Sequence, residues 1–223
     1  MAKLALSWSR ISDFRQCPFK FHEKYIAKTY PDESNNNPAF TKGKEVHKQL
    51  ETYIKQGTKR SEEKLGVIAK AGKPLADALF MDGGEVHAEM QLAVKEDWSP
   101  IDWFEKDIMF RAIIDVLHIK DGVATIIDWK TGKEAKYTDN RGQLHLSAAF
   151  VFELFPDVQT ITSALAFLEH KKSHKYSFNR EKHAANRAAW MLEYELINAE
   201  DEYAPKKNQY CYWCLSKTCP LKK

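Results

Sequence analysis

The chain has 223 residues, 43% of them hydrophobic and 29% charged, with 34 basic against 31 acidic side chains and a formal net charge of +3. That length holds one sizeable core and excludes a disordered chain, and no apolar run approaches the ~20 residues needed to cross a bilayer. The charge is too small to declare a nucleic-acid partner, and Met1-Ala2-Lys3-Leu4-Ala5-Leu6 runs into Ser7 rather than a leader-like apolar stretch. The expectation is a soluble cytoplasmic protein with no membrane partner. Cys17 stands alone while Cys211, Cys214 and Cys219 crowd the end. That arrangement is odd for disulfides and familiar for a metal centre.

In chain order, Ser9 to Ala27 reads as one or two short helices around Cys17-Pro18. Pro31 to Pro38 is a polar loop, and Thr41 to Lys55 is a helix with Val46, Leu50 and Ile54 on one face and His47 beside it. Gly57 to Asp82 reads as a helix or two with a loose connection. From Glu85 the period changes to two, giving strands at Val86 to Val94, Ile108 to Lys120 and Val123 to Lys130, an antiparallel meander. A helix over Gln143 to Leu154, a strand near Thr160 to His170 and a long helix over Asn179 to Ile197 complete an α/β (α+β) pattern. The expected architecture is a mixed central sheet flanked by helices, with a cysteine-bearing tail.

Asp121-Gly122 between two β-rich runs predicts a two-residue hairpin turn, which needs positive φ at both positions. Lys120 then faces Val123, and counting back places Asp115 opposite Asp128 and Ile113 opposite Lys130. Alternation puts Asp115, Asp128 and Lys130 on one face with Ile113, Leu117, Ile119, Ala124 and Ile126. Opposed side chains have Cβ atoms about 5 Å apart, so two ionised aspartates there call for a cation between them. Hard oxygen ligands favour Mg²⁺ or Mn²⁺ over zinc, and Lys130 would project beside the ion to stabilise charge on a phosphorane.

Asp115, then Asp128-Trp129-Lys130-Thr131-Gly132, resembles the PD-(D/E)XK nuclease superfamily and its RecB-like branch. Gly43-Lys44-Glu45-Val46-His47 resembles that branch's upstream helix, and Gln143-Leu144 its downstream one. The resemblance implies a restriction-endonuclease-like fold over residues 1–223 and a divalent-metal-dependent DNA exonuclease. It implies His47, Asp115, Asp128 and the Trp129 carbonyl as metal ligands, Lys130 as the assistant to water, and Gln143 as a positioning residue. Glu89 is expected as an extra ligand, as a support behind the ligands, or as a solvent-facing strand residue. Ser147 stands where the family helix commonly has a tyrosine.

Cys17 with Cys211-x2-Cys214-x4-Cys219 resembles the [4Fe–4S] arrangement of RecB-like nucleases, with a final gap one residue shorter. Zn²⁺ is the alternative, since four thiolates also complete a tetrahedral site. On this reading residues 1–30 and 204–223 form an iron–sulfur subdomain clamping both chain ends. Lys133, Lys136, Tyr137 and Arg141, which follow the acidic strand, are candidate phosphate contacts. The basic, aromatic segments His170 to His183 and Ala204 to Lys223 are read as surface able to meet DNA. The substrate would be linear or single-stranded DNA in recombination, repair or phage DNA processing. No helicase motif or phosphate-binding glycine loop is present, so unwinding would fall to a partner. The competing reading is a noncatalytic DNA-binding adaptor that keeps the fold.

Overall fold

The computed structural model describes residues 3–32, 37–132 and 141–222. Three short pieces open the chain: α1 (Trp8–Gln16), α2 (Pro18–Phe21) and a π-helical turn, His22–Ile26. Pro18 supplies the first position of α2, where its missing N–H costs nothing. The next helix, α3 (Pro38–Lys55), is capped by Asn37, whose side chain accepts from the Ala39 amide at 3.0 Å. Two more follow, α4 (Val67–Lys70) and α5 (Lys73–Asp82).

The sheet is formed by β1 (Glu85–Val94), β2 (Phe110–Lys120), β3 (Val123–Lys130), β4 (Thr160–Phe167) and β5 (Lys172–Asn179), in the spatial order β1-β2-β3-β4-β5. The first three strands form the expected antiparallel meander. β3 and β4 are parallel, and α6 (Arg141–Leu154) crosses between them. α7 (His183–Ala199) and a 3₁₀ turn, Gln209–Trp213, complete the described elements. This is a mixed α/β fold with helices on both sheet faces, consistent with a restriction-endonuclease-like architecture.

The two faces carry separate cores. Leu117, Ala124 and Ile126 pack with Ile11, Leu146, Phe150 and Trp190 beneath α1, α6 and α7. Val116, Ile127 and Trp129 pack with Val46, Leu50 and Ala76 beneath α3 to α5. α6 is buried nearly all round, as a crossover helix between a sheet and outer helices must be. Its first turn is tight: a Cβ on Gly142 would lie 1.9 Å from Trp8, so glycine lets α1 lie directly against α6.

One element carries no mark in the residue pattern, and two expectations need correction. His170 to His183, read as a basic surface segment, is exposed along most of its length and also forms β5, an edge strand. The strand read to His170 ends at Phe167 and gives way to a 3₁₀ turn. Ile113, expected on the apolar face with the acids, is 41% exposed, whereas Ile114 is in the core with Leu117. The alternation of β2 slips between these two residues, at Asp115. Opposite it, Glu89 has φ +50°, and the β1–β2 pairing is interrupted at the same point. A non-glycine residue in the left-handed region is a local strain that the surrounding ladder must hold.

The candidate active site

The hairpin forms as its turn chemistry requires, with Asp121 at φ +47° and Gly122 at +74°. Pairing runs from Lys120↔Val123 back to Val116↔Ile127 and stops one step short of Asp115 and Asp128. There the backbone ladder is replaced by a side chain: Asp115 Oδ2 accepts from the Trp129 amide at 2.7 Å. The other pole of Trp129, its carbonyl, meets His47 Nε2 at 2.9 Å. One residue of β3 thus anchors a carboxylate from β2 and an imidazole from α3.

His47 lies next to Val46, on the edge of the apolar stripe that seats α3, so packing aims its ring at the sheet. Nδ1 lies 3.4 Å from Asp115 Oδ1 and 3.6 Å from Glu89 Oε1. Among the described residues, His47, Glu89 and Asp115 are the group whose ligand atoms all come within 4.8 Å of one another. The structure therefore gives Glu89 a place in the cluster, through a backbone turn that leaves no mark in the residue pattern. Burial alone would disfavour a charged imidazole. Hydrogen bonds to Asp115 and Glu89, with the charges of Asp115 and Asp128, outweigh it and lift His47 to about 10.

Asp128 belongs to an adjoining set. Its Oδ2 is 2.7 Å from Lys130 Nζ, its Oδ1 accepts from Gln143 Nε2, and Gln143 Oε1 accepts from Lys130 at 2.9 Å. The three side chains close a triangle between β3 and the first turn of α6. Burial drives the Asp128 carboxyl above its ordinary range; Lys130 opposes the shift and the Asp115 charge adds to it. Asp128 Oδ2 is buried, and the charge that meets it is the Lys130 ammonium. The two carboxylates and one imidazole of the His47, Glu89 and Asp115 group could hold a divalent ion such as Mg²⁺ or Mn²⁺.

Of the remaining expected contacts, Arg141 opens α6 at the surface, while Lys133, Lys136 and Tyr137 lie outside the described residues. Ser147 is buried on α6.

The family is decided by the chain as a whole. The model of the PD-(D/E)XK nuclease superfamily matches residues 5–220. The chain belongs to that superfamily. Membership in the PD-(D/E)XK nucleases supports nuclease activity on DNA and the use of divalent metal. Among solved structures, a protein named SSO0001 is 15% identical at a TM-score of 0.52, covering 98% of this chain and 87% of that one. A protein described as a putative exonuclease from Eubacterium rectale is 17% identical at 0.49, covering 95% and 87%. No curated protein matches.

The cysteines converge at the opposite end of α1. Cys17, Cys211, Cys214 and Cys219 all line one cavity of about 540 Å³, together with Tyr30, Lys206 and Asn208. The thiols are free. Hydrogen-bond donors point at three of the sulfurs: the Lys206 amide at Cys17 (3.4 Å), the Asn208 amide at Cys211 (3.3 Å) and the Tyr30 hydroxyl at Cys214 (3.8 Å). The tail is tied down by Asn208 Nδ2 on the Gln16 carbonyl (2.8 Å) and by the Leu215 amide on the Tyr30 hydroxyl (2.9 Å). Tyr30 and Asn208 had no sequence signal, because each acts on a cysteine brought near only by folding or by a tight turn. Among the described residues, no helix is long and apolar enough to cross a membrane.

Proposed function

We propose that this chain is a divalent-metal-dependent DNA exonuclease acting on linear or single-stranded DNA. The observation that carries the reading is the convergence of His47, Glu89 and Asp115 from three elements beside the buried Asp128–Lys130 pair. The exonuclease rather than endonuclease assignment rests on the resemblance of the His47 helix, the Asp115/Asp128-x-Lys130 hairpin and Gln143 to the RecB-like branch.

His47, Asp115, Asp128 and Glu89 would hold the ion, with the Trp129 carbonyl, which retains a second lone pair beyond its bond to His47. A bound divalent cation supplies charge stabilisation at phosphorus and acidifies water. Lys130 places its ammonium where negative charge grows on the phosphoryl oxygens as water attacks phosphorus in line and the P–O bond to the leaving nucleotide breaks. Gln143 holds both Lys130 and Asp128, so the ammonium is positioned before substrate arrives. His47 Nδ1 faces Asp115 and Glu89, and the ring would have to give up its Nδ1 proton to become a ligand.

The cysteine cavity is assigned to a [4Fe–4S] cluster in a subdomain of residues 1–30 and 204–223. The four thiols line one cavity, with donors aimed at the sulfurs, and the choice of iron–sulfur over a tetrahedral zinc rests on the resemblance of the cysteine spacing. Phosphodiester hydrolysis moves no electrons, so the cluster's role is to clamp the chain ends.

End-labelled linear DNA and closed circles, incubated with Mg²⁺ or Mn²⁺ and then with chelator, test the activity. Metal-dependent loss of linear DNA alone is expected. Cut circles would make the protein an endonuclease, and absence of cleavage would return the adaptor reading. Metal analysis after anaerobic purification is expected to find iron; zinc without iron would overturn the cluster.

A further inference from the structure

Two large aromatic rings stand in solvent at the rim of the cysteine cavity. Tyr212 is 87% exposed and Trp213 68%, and their rings meet edge to face at 5.3 Å. Rings of this size are normally among the most buried parts of a fold, so adjacent exposed ones mark a contact surface. They are not on a loose tail. The Gln209–Trp213 turn is capped by Asn208, whose side chain accepts from the Tyr210 amide at 2.8 Å and donates to the Gln16 carbonyl.

The surroundings select the occupant. Residues 204–223 contain five lysines and no acid, and Lys207 and Lys217, which flank the rings in sequence, are exposed. Paired aromatic faces within a purely cationic segment match a polyanion whose bases are free to stack. The position fits as well. α1 begins at Trp8, which touches Gly142 beside Gln143, and ends at Gln16, where the tail is tied. Its nine residues span ~13 Å, so the rings lie about one short helix away from the first turn of α6.

We propose that Tyr212 and Trp213 form a stacking platform for unpaired bases of single-stranded DNA, with Lys207 and Lys217 at its phosphates. The choice of DNA rests on the nuclease reading, so the test excludes catalysis. The full chain is titrated, with chelator present, against oligothymidylate, an abasic oligonucleotide of equal length and the corresponding duplex, following fluorescence anisotropy. Oligothymidylate is expected to bind at least tenfold more tightly than the abasic strand, and Tyr212→Ala and Trp213→Ala should each weaken it about tenfold while leaving the abasic strand unaffected. Trp213→Phe, which keeps a π face, should retain binding that Trp213→Leu loses. Equal binding by Phe and Leu variants, or equal affinity of the unaltered protein for thymidylate and abasic strands, overturns the platform. Normal stacking with no cleavage of any DNA would instead sink the nuclease reading and leave the platform standing.

Discussion

The acidic centre and the cysteine cavity sit near opposite ends of α1, and they are built by different means. At the acidic centre the protein satisfies its own charges: Asp115 holds the Trp129 amide, His47 bridges carbonyl and carboxylates, and Lys130 and Gln143 hold Asp128. Its geometry is inherited from a five-stranded sheet with a core on each face. The cysteine region has no such frame. It is a short tail lying on α1, α2 and the turn after them, around a cavity that its own side chains do not fill. A site framed by a sheet keeps its shape when empty, whereas one made by chain ends depends on what binds the ends together.

Breaking the acidic centre should remove activity and leave the fold standing. Asp115→Asn keeps an acceptor for the Trp129 amide but loses a charge at the ion, so cleavage should fall by about 10³-fold or more while the chain still melts cooperatively. Gel assays and thermal melts check both halves; cleavage within tenfold of normal would remove Asp115 from the mechanism. Lys130→Ala should cost somewhat less, about 10²-fold, with Mn²⁺ binding retained. Loss of ion binding there would mean that Lys130 organises Asp128 rather than acting on phosphate.

Breaking the cysteine cavity should do the reverse. Cys17→Ser is expected to lose iron and destabilise the fold by about 4 kcal/mol, the scale for opening a crosslink over most of the chain. Protease should then cut within residues 204–222 first. Mn²⁺ affinity at the acidic centre should be unchanged, and its collapse in this variant would show that the two sites are one cooperative unit.

Legibility followed the same division. The hairpin was readable because Asp121-Gly122 fixes a register that carries by counting to Asp115 and Asp128. Gln143 and His47 were readable through the resemblance, and the structure supplies their partners. The slip at Asp115 was not, since the left-handed backbone at Glu89 is enforced by neighbouring strands and no glycine or asparagine announces it. Nor was β5, because an edge strand exposed along most of its length has no apolar alternation to detect. The cysteine spacing pointed to a metal centre, but the hydrogen bonds that surround the sulfurs come from Tyr30 and from tail backbone, which only folding brings there.

The mildest perturbation is pH, and it acts on the acidic centre through His47. Held near 10 by Asp115 and Glu89, His47 carries a proton throughout the neutral range. Its folded-state value is raised above the ordinary 6.5, so the stability gained from that charge is complete below about pH 6.5 and is lost as pH rises through about 10. Metal binding has the opposite sign, because the ion needs the neutral ring. Between pH 7 and 9 each ion bound should release about one proton, and apparent affinity should rise about tenfold per pH unit. Calorimetry in buffers of different ionisation heat measures the proton directly. His47→Gln should abolish the release and flatten the pH dependence; an unaltered release in that variant would place the proton on another group, leaving His47 as a packing residue that bonds the Trp129 carbonyl.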